Sequence, residues 1–541
     1  MVEKTREQRT RGNTVIPKSG TPFPTEGVHM SEIPVVIAGG GTVGLATAVF
    51  LGHHGVRSLV IERRATPSNH PRALGISLRT LEFFREVGLS EQMAGAAVQS
   101  AALWRAKART VAEIDRSQAP PRAQQNASFA LSPETPLGHY PQNRIDAVLI
   151  PAARERGATV EFGVEVTGVR QDADHVSVTL SDGRIVSADY LVGADGLNSS
   201  VRDALGVATT GPGEIGDATL NILFNADLAG RFGSMPAMTQ ITHPDAAGML
   251  LAVGDGRWVL HVVPTREEAL SKERCAQAVR TAIGADVPVE IVSVLPWRAT
   301  MRMADAFRSG RTFLVGDAAR AVSPLGAFGL NTGVADAHNL AWKLAMVLDG
   351  QAGDRLLDSY HQERHAVAEL VSQQALLRWN NPRLHWDPRA AEERRAIGVW
   401  NAPMVIMGYR YNSSAVIDPV VEPPSTEDLA VSLDGAPGSR IAHRWVADET
   451  VSTLDLNASR FAVLAGPTGE DWCEAARTVA ASRGMDLRTA LLDEQVASSL
   501  NLEKDGVLLV RPDGFIAWRT RGTADPACLE RVLAAVTGRQ N

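Results

Sequence analysis

Residues 33–62 contain a glycine-rich turn that constrains the fold of this chain more than any other segment. An apolar run at 35–38 has the length of a strand, and an apolar helical stretch after the turn leads to a second strand that ends at Glu62. The turn places Gly39, Gly41 and Gly44 at G-x-G-x-x-G spacing. This spacing suits a tight turn, close approach of the backbone to a pyrophosphate, and tight helix–strand packing. The free N–H groups at the helix N-terminus favour phosphate, and Glu62 can accept a hydrogen bond from a ribose hydroxyl. The segment predicts a dinucleotide-binding unit; the alternative is a glycine-rich turn in an ordinary α/β domain.

Two later segments repeat the pattern of an apolar strand that runs into a Gly/Asp turn. Residues 190–202 read YLVGADGLNSSVR, and residues 311–320 read RTFLVGDAAR. GADGxxSxVR and GDAA, placed after a GxGxxG start, resemble the FAD-dependent aromatic hydroxylases of the p-hydroxybenzoate hydroxylase class. The similarity continues through 70–73, 142–146, 324–333 and 336–345, so that the matching motifs span residues 33–348.

The resemblance implies the fold class and the division into domains. We expect an α/β protein with a Rossmann-like FAD-binding domain, an antiparallel-sheet substrate domain and a C-terminal thioredoxin-like domain. The last assignment also rests on a βαβ–ββα order of elements after Pro424 and on the segment LVRPDGFIAWR at 509–519. The predicted boundaries are a disordered tail at 1–29, FAD-binding segments at 30–95, 137–208 and 299–375, substrate-domain segments at 96–136 and 209–298, a helical linker at 376–424, and the thioredoxin-like domain at 425–541.

The resemblance also implies which residues contact FAD. Asp317 should bind the ribityl chain from a buried position, and the backbone N–H groups of 329–331 should face the pyrimidine edge of the flavin. Arg63 could flank the adenosine, or it could be a surface arginine. The full set of expected cofactor contacts is Gly39, Gly41, Thr42, Val43, Gly44, Glu62, Arg63, Arg72, Gln142, Asp195, Asp317, Pro324, Gly326, Gly329, Leu330 and Asn331.

The chain departs from the family pattern at two positions near the expected flavin. Arg320 stands where the family has a histidine after GDAA, and Phe328 replaces an amide side chain in the loop that precedes Asn331. Both changes bear on how the flavin is seated rather than on whether FAD binds.

The expected activity follows from the same resemblance. NADPH would reduce FAD as a co-substrate, and O2 would add to the flavin to give a hydroperoxide that hydroxylates an aromatic ring. Alternatives on the same fold are a simple phenol hydroxylase, and a Baeyer–Villiger or drug-inactivating monooxygenase. No second G-x-G-x-x-G unit follows, and the three cysteines are far apart in sequence, which argues against a disulfide reductase.

The substrate class is predicted from the absence of tyrosine in the antiparallel sheet that should form the substrate pocket. No tyrosine occurs between residues 191 and 359, so a tyrosine relay for deprotonating a simple phenol is absent from this segment. Candidate substrate contacts are Phe224, Asn225, Trp258, His261 and Trp297, each of which could instead be a core or sheet residue. Alternation along the strand places His261 on the side opposite Trp258. The segment 408–413 resembles hydroxylases of aromatic polyketides, which favours a polycyclic phenol. The sequence indicates no catalytic acid or base.

Composition excludes several classes of partner. A formal charge of −7 argues against nucleic acid, and no apolar run is long enough for a membrane span. The first thirty residues lack the apolar segment of a secretory signal, and few cysteines suit a reducing cytoplasm. No metal-ligand spacing is visible. The expected partners are therefore a small aromatic molecule and O2, with a homodimer left open.

Overall fold

The structure is a computed structural model that describes most of the chain. Arg72 and the predicted tail at 1–29 lie outside the described residues, as does part of 96–136. The described residues are 33–70, 73–98, 104–118, 131–263, 271–386, 389–422, 427–446 and 450–539.

The described strands form three larger sheets and one two-stranded ribbon. In chain order they are β1 (Ile33–Ala38), β2 (Ser58–Glu62), β3 (Arg105–Ala108), β4 (Ala158–Phe162), β5 (Val166–Gln171), β6 (Val176–Leu180), β7 (Ile185–Gly193), β8 (Thr209–Asn225), β9 (Met238–Ile241), β10 (Gly248–Gly254), β11 (Arg257–Val262), β12 (Glu290–Ala304), β13 (Arg308–Ser309), β14 (Thr312–Leu314), β15 (Arg320–Ala321), β16 (Trp445–Val446), β17 (Val451–Ser452), β18 (Phe461–Ala465), β19 (Leu487–Leu491), β20 (Gly506–Val510) and β21 (Ile516–Arg521).

Helices cover the sheets and connect them. In chain order they are α1 (Thr42–His53), α2 (Leu78–Glu86), α3 (Ser90–Ala96), α4 (Gln142–Glu155), α5 (Ser200–Ala204), α6 (Leu228–Phe232), α7 (Lys272–Ile283), α8 (Phe328–Leu348), α9 (Arg355–Asn380), α10 (Pro382–Trp386), α11 (Ala391–Ala396), α12 (Ala402–Met407), α13 (Leu429–Ser432), α14 (Glu470–Arg483), α15 (Glu494–Ser499) and α16 (Pro526–Val536). Among the described residues, no helix is both long and apolar enough to cross a bilayer.

The first sheet has the parallel centre of a nucleotide-binding fold. Its strands run in the order β13-β14-β7-β1-β2-β4, and the pairs at its centre are parallel. Every residue of β2 is buried, as expected for a strand that is covered on both faces. The strand–turn–helix–strand prediction for residues 33–62 is therefore confirmed.

The second sheet is mainly antiparallel, in the order β15-β12-β8-β11-β10-β9-β3. The sequence Gly254-Asp255-Gly256 is typical of a hairpin turn and joins β10 to β11; Asp255 and Gly256 both have positive φ, as a tight two-residue turn requires. One face packs on α7. The other face contacts the FAD-binding segments through Leu74 and through His70, which hydrogen-bonds Ser293 at 2.7 Å.

This sheet extends further along the chain than the predicted boundary at 298. β12 continues without a break to Ala304, and β15 pairs with it at residues 320–321, both inside a segment predicted to be FAD-binding. Helix α9 likewise crosses the predicted start of the linker at 376. Single long elements therefore contribute to two domains, whereas the predicted boundaries were placed at the ends of sequence motifs.

The C-terminal segment forms a four-stranded sheet in the order β19-β18-β20-β21, flanked by α14 and α16. β18 is parallel to β19 and antiparallel to β20. The predicted βαβ–ββα order is found with one further helix, α15, between β19 and β20, and these pairings agree with the predicted thioredoxin-like arrangement.

A buried ionic cluster joins this domain to the FAD-binding segments. Glu363 on α9 accepts hydrogen bonds from Lys343 on α8 at 2.7 Å and from both terminal nitrogens of Arg511. Arg511 also donates to Asp513. The exposed fraction of each side chain is 2% or less. We call these four residues, Lys343, Glu363, Arg511 and Asp513, the interdomain ionic cluster.

Candidate flavin site and substrate face

The first two glycine turns meet at the edge of the parallel sheet. Gly39 has a φ of +107°, and a Cβ on it would lie 2.3 Å from the carbonyl oxygen of Ala194, beside the Asp195 turn. A Cβ on Gly44 would lie 1.9 Å from the carbonyl oxygen of Gly39, so α1 packs directly against the turn. These positions admit no larger residue, which is the physical reason for glycine at each.

The third turn, at 316–317, packs against the first glycine turn through Val43. A Cβ on Gly316 would lie 3.1 Å from Val43 Cγ2, and one on Gly333, in the second turn of α8, would lie 2.7 Å from that atom. The turns at 39–44, 194–196 and 316–317 and the first turns of α8 are therefore adjacent in space, although they are far apart in the sequence.

A cleft opens beside the first turn, with Glu62 at its wall. The Glu62 carboxylate accepts hydrogen bonds from the backbone N–H groups of Gly40 at 2.8 Å and Arg64 at 3.0 Å. Gln142, the first residue of α4, also lines the cleft. These polar walls suit a sugar and a nucleobase.

The start of α1 leaves backbone N–H groups free for a ligand. Gly41 is its N-cap and supplies no side-chain hydrogen bond, and a Cβ at Gly41 would have no atom within 4 Å. Thr42 directs its hydroxyl to Asp146 on α4 instead. An uncapped helix N-terminus with open space in front of it can accommodate a phosphate.

The structure does not place Arg63 in this cleft. Its side chain is 58% exposed and pairs with Glu165 at 3.6 Å. Arg64 lines the cleft in its place. This placement agrees with the alternative of a surface arginine at 63; the chain leaves β2 at Glu62, so the strand alternation that would orient the next side chains ends there.

The two predicted strand-end acids lie in different environments. Asp195 accepts hydrogen bonds from the backbone N–H of Val201 and the hydroxyl of Ser200 at the start of α5, while its Oδ1 is buried without a partner among the described residues. Asp317 is exposed rather than buried, on the short helical turn at 316–318. An exposed carboxylate at the sheet edge can reach a sugar alcohol.

The start of α8 presents a second uncapped helix N-terminus. Its N-cap, Ala327, has a φ of 55° and gives no side-chain hydrogen bond. Gly329 and Leu330 are partly exposed there. The side chain of Asn331 has another task, because its Oδ1 accepts hydrogen bonds from the Ser77 N–H at 2.7 Å and the Thr80 hydroxyl at 2.6 Å. Asn331 thus fixes the loop before α2 to α8.

Phe328 does not face the expected flavin. Its ring is fully buried, packs against Arg378 with 4.9 Å from the guanidinium carbon to the ring centroid, and lies under Gly326. Burial lowers the Arg378 pKa to about 10. Pro324, by contrast, is exposed. The aromatic ring at 328 anchors the loop from below, so this departure from the family pattern leaves the upper side of the loop open.

The structure corrects two of the predicted substrate contacts. Phe224 and Trp258 belong to the core between the second sheet and α7, on the face turned away from the FAD-binding segments. Their neighbours in that core include Ile222 and Val279. Strand alternation alone could not tell which face was the pocket.

The three other candidates lie on different parts of the sheet. Asn225 donates its amide to Glu290 at 2.9 Å. Trp297 is 37% exposed on β12. His261 faces away from the α7 core, opposite to Trp258 as predicted, and burial, with a contribution from His70, lowers its pKa to about 4.

The face that carries Leu223, Val259 and Leu251 is the one that contacts Leu74 of the FAD-binding segments. We call it the flavin-facing side of the second sheet. Asn221, which the sequence analysis missed, lies on this face, directly opposite His261. The sequence signal for Asn221 was a polar residue inside an otherwise apolar strand.

Comparison with known proteins defines the class. The FAD binding domain family matches residues 32–375, and the aromatic-ring hydroxylase C-terminal family matches residues 434–540. The chain belongs to the FAD-dependent aromatic-ring hydroxylases, and it is a flavin monooxygenase of that family, as predicted.

The relatives are similar over nearly their whole length. Tetracenomycin B2 monooxygenase-dioxygenase of Streptomyces olivaceus is 37% identical, over 94% of this chain and 99% of its own. 4-Methyl-5-nitrocatechol 5-monooxygenase of a Burkholderia species is 38% identical, over 93% and 97%. The crystal structure of aklavinone-11 hydroxylase with FAD and aklavinone has a TM-score of 0.84 and 34% identity, and covers 95% and 100%.

The residues in place fit FAD. The uncapped start of α1 and the open side of Gly41 suit a pyrophosphate, Glu62 suits the adenosine ribose, and the exposed Asp317 suits the ribityl chain. The uncapped start of α8 suits the electron-rich edge of a reduced flavin.

Proposed function

We propose that this chain hydroxylates a polycyclic phenol of the aromatic polyketide type, with NADPH as reductant and O2 as oxidant. When bound, FAD supplies the redox chemistry. The residues of the chain hold the cofactor through the contacts described above and keep the aromatic ring against it on the flavin-facing side of the second sheet.

The observation that carries the proposal is the character of that sheet face. Leu223 and Val259 are buried there against Leu74, and Leu295 and Trp297, each 37% exposed, form its open apolar edge. An exposed apolar edge contributes binding energy in proportion to the ring area that it covers, which favours several fused rings over one.

None of the five tyrosines supplies a proton relay on this face. Each has an exposed fraction of 6% or less. Tyr140 and Tyr360 bond to backbone groups of Leu137 and Leu314, and Tyr409 and Tyr411 accept hydrogen bonds from Arg364. Tyr190 lies in the parallel sheet. A fused-ring phenol, whose own acidity is greater, has less need of such a relay.

The test measures product rather than NADPH consumption alone. Purified holoenzyme is given NADPH, O2 and a panel of naphthol, anthrone and naphthacenone phenols, with phenol and catechol as monocyclic controls. Products gaining one oxygen atom from the polycyclic members, with NADPH oxidation stimulated in parallel, support the proposal. Coupled hydroxylation of the monocyclic members alone would refute it.

A second candidate is hydroxylation of a monocyclic phenol. The 38% identity to 4-methyl-5-nitrocatechol 5-monooxygenase favours it, and the same panel distinguishes the two.

The proposal places the enzyme in the cytoplasm, where Cys275, Cys473 and Cys528 remain free thiols. A homodimer stays a prediction, which light scattering on the eluted holoenzyme tests.

A further inference from the structure

Two polar side chains interrupt the apolar flavin-facing side of the second sheet. Asn221 on β8 and His261 on β11 are directly paired across the two strands. Residues opposite each other on antiparallel strands have Cβ atoms about 4.5–5.5 Å apart and point to the same face. The next pair along the strands, Leu223 with Val259, is apolar and buried.

Asn221 has an unsatisfied acceptor in this position. Its exposed fraction is 8%, and its side-chain oxygen has no hydrogen-bond partner among the described residues. A buried polar atom without a partner destabilises the folded protein, because it has lost its hydrogen bonds to water. Such atoms are rare in folded proteins, and a ligand that supplies the missing donor is one reason for their presence.

His261 offers the complementary group. Its side chain makes no hydrogen bond to any residue in the part of the chain that the structure describes, and its pKa of about 4 keeps it neutral at pH 7. A neutral imidazole carries one N–H donor and one acceptor nitrogen. The pair therefore presents an acceptor and a donor side by side.

Apolar side chains continue the same row toward the edge of the sheet. Leu295 pairs with Asn221 on its other side, and Trp297 lies two residues further along β12. Both are 37% exposed, so they can contact a ring that enters from solvent.

We propose that Asn221 and His261 together bind one phenolic hydroxyl of the substrate, which donates to the Asn221 side-chain oxygen and accepts from the His261 ring N–H. Leu295 and Trp297 contact the attached rings. This assignment rests on the proposed function and adds to it the groups that select a hydroxylated ring. A site with buried polar groups rejects an analogue that cannot pair with them, because the groups are then left without partners.

The test compares binding of a phenol with that of its methyl ether. The FAD-loaded enzyme, without NADPH, is titrated with 1-naphthol and with 1-methoxynaphthalene by calorimetry. We expect wild type to prefer 1-naphthol about tenfold or more, since one satisfied buried hydrogen bond is worth about 1.4 kcal/mol or more. Asn221→Leu should abolish the preference, and His261→Phe should reduce it.

Gln240→Leu is the matched control. Gln240 lies in the same row of the same sheet, beyond Met249, and is exposed. It should leave the preference unchanged. The melting temperature separates binding from structure: Asn221→Leu should be as stable as wild type or more stable, because it removes an unpaired buried oxygen.

Two results would overturn the assignment: a wild-type enzyme that binds both compounds equally, or an Asn221→Leu enzyme that keeps the preference with a full complement of FAD. Failure of the proposed function looks different. In that case the tenfold preference and its loss in Asn221→Leu are observed, but no polycyclic phenol gains oxygen in the product assay.

Discussion

Replacing Arg511 by methionine removes a buried guanidinium that holds two carboxylates at once. Arg511 donates to both oxygens of Glu363, at 2.5 and 2.9 Å, and to both oxygens of Asp513, at 3.0 and 2.5 Å. Methionine fills the space of the aliphatic part of the arginine side chain, so the change deletes charge and hydrogen bonds while limiting the cavity. In the variant, Lys343 is the remaining cation of the cluster beside two buried carboxylates, which also keep the neutral donors Asn339 and Ser413.

The size of the effect follows from two limits. Removing one partner of a buried ion pair costs about 3–5 kcal/mol. The uncompensated charge can escape by protonation, which at pH 7 costs about 3.7 kcal/mol for a carboxyl with a pKa near 4.3. Adding the lost hydrogen bonds, we expect Arg511→Met to lower the free energy of unfolding by about 4–5 kcal/mol.

The pH dependence distinguishes this mechanism from simple loss of packing. Arg511 and Lys343 hold the pKa of Glu363 well below its usual range in spite of burial, so wild-type stability from this group is constant above about pH 4.5 and falls below it. In Arg511→Met a carboxyl pKa is raised on folding, so the folded state binds the extra proton. The difference between the proteins should shrink by about 1.4 kcal/mol per pH unit from pH 7 to 5.

The assay is urea unfolding followed by tryptophan fluorescence, since the Arg511 guanidinium carbon lies 5.3 Å from the Trp342 ring centroid. Lys343→Met is the control: Glu363 keeps its two-pronged contact with Arg511, and the loss should be about 1.5–3 kcal/mol. Adding Glu363→Gln to Arg511→Met removes the excess charge and should recover part of the loss. A loss below 1 kcal/mol for Arg511→Met, or a difference that does not change with pH, would refute the reasoning.

Three further predictions concern the flavin site and its support. Gly44→Ala should fail to fold or melt much earlier, whereas Gly41→Ala should fold normally and bind FAD more weakly, because its Cβ meets only the space in front of α1; equal melting temperatures would contradict this. Asp317→Ala should keep the wild-type circular dichroism and lose FAD on dialysis, and undiminished FAD content would count against the ribityl contact. The Glu86 pKa is lowered to about 2, since its pairing with His338 at 2.9 Å outweighs burial. Glu86→Gln should therefore be less stable at pH 6 and lose less stability between pH 4.5 and 2, and parallel acid curves would contradict this.

The parts of the fold that the sequence predicted are those specified by local patterns. The glycine turn at 39–44 requires glycine for contacts within one strand–helix unit, and the 254–256 turn fixes its hairpin by its own backbone angles. The C-terminal strands are short and have clear ends, so that their order along the chain was predicted, although the short helix α15 between β19 and β20 was not.

The side of each strand that faces the ligand could not be predicted in the same way. The β8–β12 pairing shifts register between Ile291 and Ser293, and again between Trp297 and Ala299. Each irregularity resets the two-residue alternation, so a pattern read along β12 does not reveal which side chains face the flavin. Asn221 and Phe224 lie three residues apart on one strand and consequently face opposite sides.

The interdomain ionic cluster was beyond sequence reasoning for a different reason. Glu363 and Arg511 are separated by 148 residues, and a charged residue in a helix is ordinarily interpreted as solvent-exposed. The pairing becomes visible only once the C-terminal sheet is docked on α8 and α9.

That docking connects the C-terminal domain to the flavin site through adjacent residues of one helix. Glu363 binds Arg511, and the next residue, Arg364, binds the buried carboxylate of Asp336 at 2.8 Å. Asp336 in turn accepts the backbone N–H of Gly316 at 3.1 Å, which fixes the turn that carries Asp317. Because the cluster is fully buried, rotating α9 to relax one contact would break the other. The C-terminal domain, which has no cysteine pair for redox chemistry among the described residues, thus contacts the same helix, α9, that holds the Gly316–Asp317 turn through Asp336.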